Sequence, residues 1–513
     1  MTLKFNLRST FLSLTFFLGI LLISCDTTDR TEGLGAIRSD EITLIDDLQY
    51  QILASWGDDI SETHHVGFDC GYVAFIPDQG NSGMLWVSHP DVNPLFISGY
   101  SVSGEVARHR DMINKELYYI GGSLMRVAKS GGEWEVIKEP TNMRFTGAQS
   151  YPLEWHHPVA NRTAAFGATA PGDGAVTPWG TLLLGETNYR KFYGDMNHAT
   201  RQYEASKLLW ETFLSKPTQH YGWILEIDPS SKEIKKQIGL GRFYHSATLL
   251  VTLPDQRVVV YTTEGEENGL LFKYISDTPG RIYPGKLYAA NFKNGVWRPI
   301  DYEEPLLKDY FTSETQMMER AHEAGVLMGA TVIDKPSGLV QDQDGSLVIS
   351  LGANSVKGSL YGGLMRFTPA GEDHSAESFN TKMIIDGGED SGFALPSDLA
   401  IDPSGNLWFT SSIDAEDIGK EPYTTFGNNA LYVIPKSPEY GGEIIRVATA
   451  PMDAKFAGLS FTADGSSLFL SVSQPGKLST PGNYTSHWPK GGDSVPKSSV
   501  IVISGEFLEE LMP

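Results

Sequence analysis

The sequence predicts an all-β protein, specifically a six-bladed β-propeller with helical insertions. Three segments of its C-terminal half align without gaps, and each carries a turn glycine 60 residues after the last. The segments span residues 336–350, 396–410 and 456–470, and the glycines are Gly345, Gly405 and Gly465. Each segment has the pattern of a strand, an Asp-Gly or Ser-Gly turn and a second apolar strand, which is typical of a hairpin. Repeated hairpins at a long period predict a propeller, because one blade cannot bury both of its faces. A stack of unrelated hairpins is the alternative.

The remaining elements follow the same logic along the chain. Looser copies of the hairpin pattern precede the three aligned segments, at residues 72–88, 180–186, 247–264 and 287–299. The last strand, residues 498–504, is expected to close the ring against an N-terminal strand near Tyr72. Apolar residues at helical spacing predict a helix over residues 198–214, ended by Pro217, and a capping box at Ser313–Gln316 opens a second helix toward Gly325.

The N-terminus has the pattern of a secretory signal. Lys4 and Arg8 precede an apolar run over residues 11–24, which is too short to span a bilayer as a helix. The run ends in Leu-Ile-Ser-Cys25, which resembles the lipobox of bacterial lipoproteins, where the cysteine is lipidated; an uncleaved signal anchor is the alternative. We therefore expect a signal peptide over residues 1–24, the lipidated Cys25 and a flexible tether over 25–45, and one propeller over 46–513. The expected location is the bacterial envelope, on the periplasmic face or the cell surface, with the membrane as partner through the lipid.

Composition limits the other partners. The formal charge is −23, which opposes binding to a nucleic-acid backbone and fits either a solvated surface or a cation site. With Cys25 acylated, Cys70 is the only remaining thiol, so no intramolecular disulfide is expected and the fold depends on its core. The chain is expected to be a monomer.

Candidate chemistry lies where apolar strands end. The sequence has no P-loop, GxSxG, HExxH or paired CxxC motif, so nothing in it supports nucleophilic serine catalysis. Histidines and carboxylates at strand ends are ligands that Ca²⁺ or Fe³⁺ accepts, and strand ends of different blades converge on a propeller axis. These residues are His89, Glu186, His245, Glu264, Glu267 and Asp398. For each one taken alone, a hydrogen-bonded structural role or a solvated loop is the alternative.

In their order along the chain, several motifs resemble the PhoX-like alkaline phosphatases, secreted propellers that use bound calcium and iron. The resemblance covers nearly the whole mature chain. The motifs include Gly67-Phe-Asp-Cys-Gly-Tyr72, Trp86-Val-Ser-His89, Thr177-Pro-Trp-Gly-Thr181 with Glu186, Gly222-Trp-Ile-Leu-Glu-Ile-Asp-Pro229, Gly241-Arg-Phe-Tyr-His245 and Ser486-His-Trp-Pro489. The resemblance implies a metal-dependent phosphatase on a propeller fold.

This chain departs from the family pattern at many ligand positions. An expected Asp is Gly71, and the Cys and Glu that flank the retained Glu186 are Gly185 and Thr187. Other motif positions also differ: the His-Glu pairs become His89-Pro90 and His245-Ser246, Arg-Pro-Glu becomes Lys335-Pro336-Ser337, Pro-Asp-Asn becomes Pro396-Ser397-Asp398, and Gln-His-Pro-Gly becomes Ser473-Gln474-Pro475-Gly476. Because a multi-metal site needs several carboxylates, these changes are hard to reconcile with the same iron–calcium cluster.

Three functions remain open. The first is a phosphoric-ester hydrolase with an altered metal site, acting on a small phosphorylated molecule. Its expected metal ligands are Glu186, Glu264, Glu267 and Asp398; His89 or His245 is a proton shuttle or ligand, and Lys335 contacts a phosphate oxygen. Ca²⁺ is the expected cofactor, ahead of iron, because the Cys and Glu ligands are lost. The second function is a non-catalytic propeller that binds a ligand or a partner protein at the envelope. The third is hydrolase or lactonase chemistry with one Ca²⁺ in the channel.

Overall fold

The computed structural model describes residues 33–78, 81–101, 106–198 and 200–512. Within these residues six blades form a ring around a central axis, and their strands pair antiparallel except for the strands Ser150–Glu154 and Ile234–Gln237 of the second blade, which pair in parallel. The expected signal peptide, Cys25 and the first part of the expected tether lie outside the described residues. No helix in the described part of the chain is long and apolar enough to cross a membrane.

Strands are numbered in chain order. Two N-terminal strands, β1 (Thr43–Leu44) and β2 (Gln49–Ser55), join later blades. Blade 1 contains β3 (Val73–Pro77), β4 (Ser82–His89), β5 (Gly121–Ser130), β6 (Glu133–Ile137) and β7 (Met143–Phe145). Blade 2 contains β8 (Ser150–Glu154), β9 (Ala164–Phe166), β10 (Pro171–Val176), β11 (Leu182–Glu186), β14 (Ile224–Ile227) and β15 (Ile234–Gln237), with a separate hairpin of β12 (Asp195–Asn197) and β13 (Gln202–Glu204).

The other four blades follow. Blade 3 contains β16 (His245–Thr252), β17 (Val258–Glu264), β18 (Leu271–Ser276), β19 (Gly285–Asn291) and β20 (Val296–Ile300). Blade 4 contains β21 (Pro336–Gln341), β22 (Leu347–Leu351), β23 (Gly363–Pro369) and β24 (Phe379–Asp386). Blade 5 contains β25 (Pro396–Ile401), β26 (Leu407–Ser411), β27 (Ala430–Ile434) and β28 (Ile445–Thr449), and blade 6 contains β29 (Lys455–Phe461), β30 (Leu468–Ser473) and β31 (Ser499–Ser504).

The three aligned segments form the hairpins β21–β22, β25–β26 and β29–β30, as predicted. Their turn glycines have φ of +81°, +92° and +70°, a region in which side chains other than glycine are strained. The inner strands β3, β10, β16, β21, β25 and β29 contact one another around the axis. The 60-residue period is therefore one blade, and the prediction of a six-bladed propeller is confirmed.

The core lies between neighbouring blades. Phe75 of blade 1 stacks on Phe469 of blade 6 with ring centroids 5.0 Å apart, and Tyr261 of blade 3 contacts Phe367 of blade 4 at 6.1 Å. Apolar clusters of this kind fill the space between adjacent sheets. Each blade thus buries its faces against its neighbours, which explains why the repeat is stable only as a ring.

The ring is closed by a pair of strands from opposite ends of the chain. β31 pairs antiparallel with β2, with Gln49 opposite Ser504 and Ile52 opposite Ile501. The prediction that β31 would close the ring holds, but its partner is β2 and not the strand near Tyr72. That nearer strand is β3, which already pairs with β4 inside blade 1.

Helices lie between strands of blades 1 and 2, between blades 3 and 4, and after the last strand. They are α1 (Pro94–Ser98), α2 (Arg110–Tyr119), α3 (Arg190–Tyr193), α4 (Glu211–Leu214), α5 (Pro305–Tyr310), α6 (Glu314–Glu319), α7 (Ala321–Leu327) and α8 (Glu506–Glu510). The predicted cap is present, because Ser313 Oγ accepts from the N–H of Gln316 at 3.1 Å. The long helix expected over residues 198–214 is wrong. Its first part forms the β12–β13 hairpin and only α4 is helical, because strand pairing outweighs the apolar spacing.

Candidate functional site

A cavity of about 310 Å³ lies on the propeller axis, where the inner strands begin. Each blade contributes a residue at or beside the start of its inner strand. These residues are Tyr72, Asp173, Ser246, Ser337, Asp398 and Ala457, in blades 1 to 6. We call this space the axial cavity.

Bulges at the strand starts shape the axial cavity. In blades 2 to 6, the register between the inner strand and its neighbour shifts within the first few residues of the inner strand. In blade 5, for example, the shift falls between Pro396 and Leu399 and includes Asp398. A bulge inserts an extra residue and turns a side chain away from the regular alternation. Repeated around the ring, these bulges direct Asp173, Asp398 and their counterparts toward the axis.

Both signs of charge line the axial cavity. Three lysines and six aspartates line it: Lys335, Lys455 and Lys477, with Asp69, Asp91, Asp173, Asp398, Asp414 and Asp453. Asp398 is held in place, because its Oδ2 accepts from the N–H of Gly458 at 2.7 Å. Burial and the nearby carboxylate of Asp398 raise the pKa of Asp173 well above its ordinary value, against the smaller effect of Lys455. The protonated form of the Asp173 carboxyl is therefore favoured relative to that of a solvated aspartate.

A chain of polar contacts crosses one wall of the axial cavity. Gln474 Nε2 donates to Asp69 Oδ2 at 2.9 Å and to Asp91 Oδ2 at 3.0 Å. Asp91 is also paired with the Lys191 ammonium. Burial and the Asp91 carboxylate raise the pKa of Asp69, which is only 1% exposed. Gln474 stands in the Gln-His-Pro-Gly motif position of the family pattern, and here it crosslinks two acids.

A larger cleft of about 1030 Å³ adjoins the axial cavity. It is bounded by residues 188–198, by Glu264 and Glu266 after β17, by residues 319–323 of α6 and α7, and by residues 414–417. The two spaces share lining residues: Asp91, Asn188, Asp414 and Lys477. A ligand can therefore occupy both, and we call the larger space the side cleft.

Two of the expected site residues lie in the axial cavity. Asp398 lines it from blade 5, and the exposed Lys335 lines it from the segment that enters blade 4. Lys335 has φ of +40°. Both residues therefore line one cavity, as expected for residues of different blades that converge on the axis.

The two expected proton shuttles are buried in the core. His89 shows no exposed surface, and its Nε2 lies 2.8 Å from Ser123 Oγ. His245 is equally buried, with Nδ1 2.9 Å from Thr262 Oγ1 and Nε2 3.1 Å from the carbonyl oxygen of Gly241. Burial lowers the pKa of His89 well below its ordinary value and lowers that of His245 to about 3. Both rings are neutral and lie outside the two cavities.

Glu186 is also buried, and an internal cation holds it. Its Oε1 accepts from Lys236 Nζ at 2.7 Å, and both side chains have no exposed surface. The same carboxylate accepts from the backbone N–H groups of Thr169, Gly222 and Trp223 at 3.0 to 3.2 Å. Four donors thus occupy the two oxygens, and the Lys236 ammonium supplies the positive charge.

Of the two remaining carboxylates, Glu264 lines the side cleft and Glu267 lies on the surface. Glu264 is 2% exposed, and its Oε2 accepts from His322 Nδ1 at 2.6 Å and from the N–H of Leu270 at 3.1 Å. Glu267 is exposed and lines neither cavity. The four carboxylates expected to share a metal are therefore distributed over four different environments.

Comparison with protein families identifies the family of this chain. The family described as alkaline phosphatase PhoX matches residues 30–476. The chain belongs to the PhoX family. No curated protein matches the sequence significantly.

Solved structures agree with this assignment at the level of the fold. PhoX of Pseudomonas fluorescens, in complex with vanadate as a transition-state analogue, superposes with a TM-score of 0.82 at 21% identity, covering 93% of this chain and 98% of that chain. A protein of unknown function from Dyadobacter fermentans covers 89% of this chain and 99% of that chain at 10% identity, with a TM-score of 0.41. An α-L-arabinanase of Penicillium chrysogenum, complexed with arabinobiose, covers 90% of this chain and 99% of that chain at 10% identity, with a TM-score of 0.39.

The described residues do not fit the metal cluster that PhoX membership implies. Within the described ranges, no three His, Cys, Asp or Glu side chains are placed to hold a metal ion together. A Cβ added at Gly185, where the family pattern has cysteine, would lie 2.3 Å from the Cβ of His245. The space of that ligand is therefore filled by the backbone and Cβ of His245, and Lys236 neutralises the retained Glu186.

Several residues of this PhoX site were missed by sequence reasoning. Asp173 and Lys455 are bulge or strand-start residues, and a search for charged residues at the start of each predicted inner strand would have found them. Lys236 lies mid-strand in β15, and His322 lies in an inserted helix. Nothing in their local sequence marks these two, because their partners are 50 and 58 residues away.

Proposed function

We propose that this PhoX family member is a phosphoric-ester hydrolase whose axial cavity receives the phosphoryl group. One observation carries the proposal: Lys335, Lys455 and Lys477 converge with Asp173 and Asp398 in one cavity on the axis. Lysine ammonium groups bind phosphate oxygens as point charges. Family membership supports hydrolysis as the use of this cavity.

The cavity residues supply binding and electrostatic stabilisation. In phosphoryl transfer, negative charge spreads over the equatorial oxygens, and positioned cations stabilise it. The three lysines supply that charge. Asp173, whose pKa is raised by burial and by Asp398, can hold a proton and donate a hydrogen bond to a phosphoryl oxygen.

The metal content is proposed to differ from that of the iron–calcium members of the family. The replacement of cysteine by Gly185 removes a soft ligand, and the oxygen ligands that remain in the axial cavity suit Ca²⁺ better than iron. Because no three donors converge among the described residues, no step of the reaction is routed through a metal.

Turnover of phosphoric esters by the full-length protein, purified in detergent, tests the proposal. We expect hydrolysis of phosphomonoesters and inhibition by orthovanadate. Lys335→Met and Lys455→Met should each weaken vanadate binding about tenfold or more, because a hydrogen bond to a charged group contributes about 1.5–3 kcal/mol. Lys382→Met is the matched control, since Lys382 is an exposed lysine of β24 away from both cavities.

Metal analysis and turnover with EDTA or added Ca²⁺ complete the experiment. Stoichiometric iron would contradict the altered metal content. A protein that binds vanadate but hydrolyses neither monoesters nor diesters, with and without Ca²⁺, would overturn the hydrolase and leave a binding propeller.

A further inference from the structure

A histidine–carboxylate pair forms part of the wall of the side cleft. α7 begins at Ala321, and its first turn places His322 beside Glu264 at the end of β17. His322 Nδ1 lies 2.6 Å from Glu264 Oε2, and Leu270 N–H donates to the same oxygen at 3.1 Å. The Glu264 side chain is 3% exposed, whereas that of His322 is 38% exposed. A buried carboxylate thus holds an accessible imidazole.

This contact fixes which nitrogen is available to a ligand. Because Nδ1 bonds to Glu264, Nε2 is the remaining ring nitrogen for a molecule in the side cleft. The hydrogen bond to Glu264 raises the pKa of His322 against the lowering effect of burial, and the charges of Glu264, Glu266 and Glu323 add to the rise. Glu266 and Glu323 are themselves paired with Arg190 and Arg320. The Glu264 contact therefore stabilises the imidazolium form relative to that of an isolated histidine.

The pair lies next to the expected position of a reacting phosphate. Glu264 is followed directly by Gly265, which lines the axial cavity. The side cleft and the axial cavity share Asp91 and Lys477 at their junction. An ester with its phosphoryl group in the axial cavity would extend its leaving group into the side cleft, toward His322.

We propose that His322 is the general acid of the hydrolase, with Glu264 as its positioning residue; this rests on the proposed function. Water forms a new bond to phosphorus while the bond to the leaving oxygen breaks. The Nε2 proton of His322 passes to that oxygen, the attacking water loses a proton to solvent, and the imidazole is reprotonated from solvent. The products are an alcohol and phosphate, and no other reactant is needed.

Leaving-group dependence tests the proton transfer. A general acid matters most for an alkoxide, so His322→Asn should lower kcat for an alkyl phosphate about 100-fold or more and for p-nitrophenyl phosphate by less than tenfold. In the wild type, kcat should fall at high pH as the general acid loses its proton. In His322→Asn this basic limb of the pH profile should disappear for the alkyl ester. Glu264→Gln should shift that limb to lower pH, because the imidazolium loses its anionic partner.

The matched control is His65→Asn. His65 Nδ1 lies 2.7 Å from Asp59 Oδ1, so it forms a similar pair, but it lines neither cavity, and both esters should be hydrolysed at the wild-type rate. His322→Gln serves as a second variant, and circular dichroism confirms that each variant folds. If His322→Asn loses kcat equally on both esters, or retains the basic limb with the alkyl ester, His322 is not the general acid. If the wild type hydrolyses neither ester, the proposed function and this inference both fail.

Discussion

At the scale of single residues, His89, Glu186 and Glu264 occupy one equivalent position. Each is the last residue of the strand that pairs with the inner strand of its blade: β4 in blade 1, β11 in blade 2 and β17 in blade 3. The sequence identifies these strand ends correctly. Their side chains nevertheless lie one strand away from the axis and are buried, with partners such as Lys236 and His322 that are remote in sequence. Pattern alone cannot separate the strand that borders the axis from the strand behind it.

The Glu186–Lys236 pair gives the first residue-scale prediction. Lys236→Met leaves a buried carboxylate without its counter-charge, and removing one partner of a buried ion pair costs about 3–5 kcal/mol. We expect the free energy of unfolding, measured by urea denaturation, to fall by about that amount. Lys235→Met is the control, because the adjacent Lys235 is 40% exposed in its surface ion pairs and should change stability by less than about 1 kcal/mol. Equal effects of the two variants would contradict the pairing.

The buried His245 gives a prediction on pH. Its pKa is about 3 in the folded chain and about 6.5 when unfolded, so between these values the unfolded state binds the extra proton. Stability is therefore lost as pH falls from about 6.5, by up to about 1.4 kcal/mol per pH unit from this residue. His245→Gln should flatten the fall of Tm between pH 6.5 and 4, whereas His65→Gln should not. An unchanged slope in His245→Gln would refute the assignment.

At the scale of elements, the hairpins follow from sequence and the bulges do not. The period of 60 residues and the turn glycines specify β21–β22, β25–β26 and β29–β30. A bulge adds one residue to one strand, and the alternation of apolar residues in the sequence does not reveal where it falls. Asp173 was missed for this reason, since it lies in the shifted part of β10. Asp398 was found only because a motif marked it.

The closing strand pair gives the element-scale prediction. Ile501 of β31 is fully buried, whereas Ile52, opposite it on β2, is 42% exposed. Ile501→Asp places a charge in the core and should abolish or strongly reduce cooperative unfolding. Ile52→Asp should change the free energy of unfolding by less than about 1 kcal/mol. Thermal unfolding followed by circular dichroism measures both, and a stable Ile501→Asp variant would argue against this closure.

At the scale of the whole molecule, the 60-residue period predicts the fold class more securely than the motifs predict the chemistry. The turn glycines at that period lie in the hairpins of blades 4, 5 and 6. The charge of −23 fits either a solvated surface or a cation site, and the structure shows both exposed and buried acids. Glu267 is exposed, whereas Asp69 is buried and Asp173 is partly buried beside the axis. The set of metal ligands could not be derived from the sequence. The family motifs identify the positions, but the packing around Gly185 and Glu186 determines whether a metal ligand fits there.

Attachment to the envelope is the prediction at this scale. We propose that Cys25, which lies outside the described residues, carries the lipid that anchors the protein. Metabolic labelling with a radioactive fatty acid should mark the wild type and not Cys25→Ser. Cys70→Ser is the control: Cys70 is buried and is not expected to carry the lipid, so this variant should be labelled like the wild type. Label retained in Cys25→Ser would disprove the anchor.

The pairing of β2 with β31 also determines when folding can be completed. Gln49 and Ser504 are nearly a full chain length apart, so the last native sheet contacts form only after the final strand is available. Such non-local pairing slows folding, because a long loop must close before the contact stabilises the chain. During synthesis, β2 emerges early and waits without its partner until the C-terminal strand follows. The order of emergence thus leaves β2 without its partner strand for the longest time, which is the interval in which a protecting chaperone would be most useful.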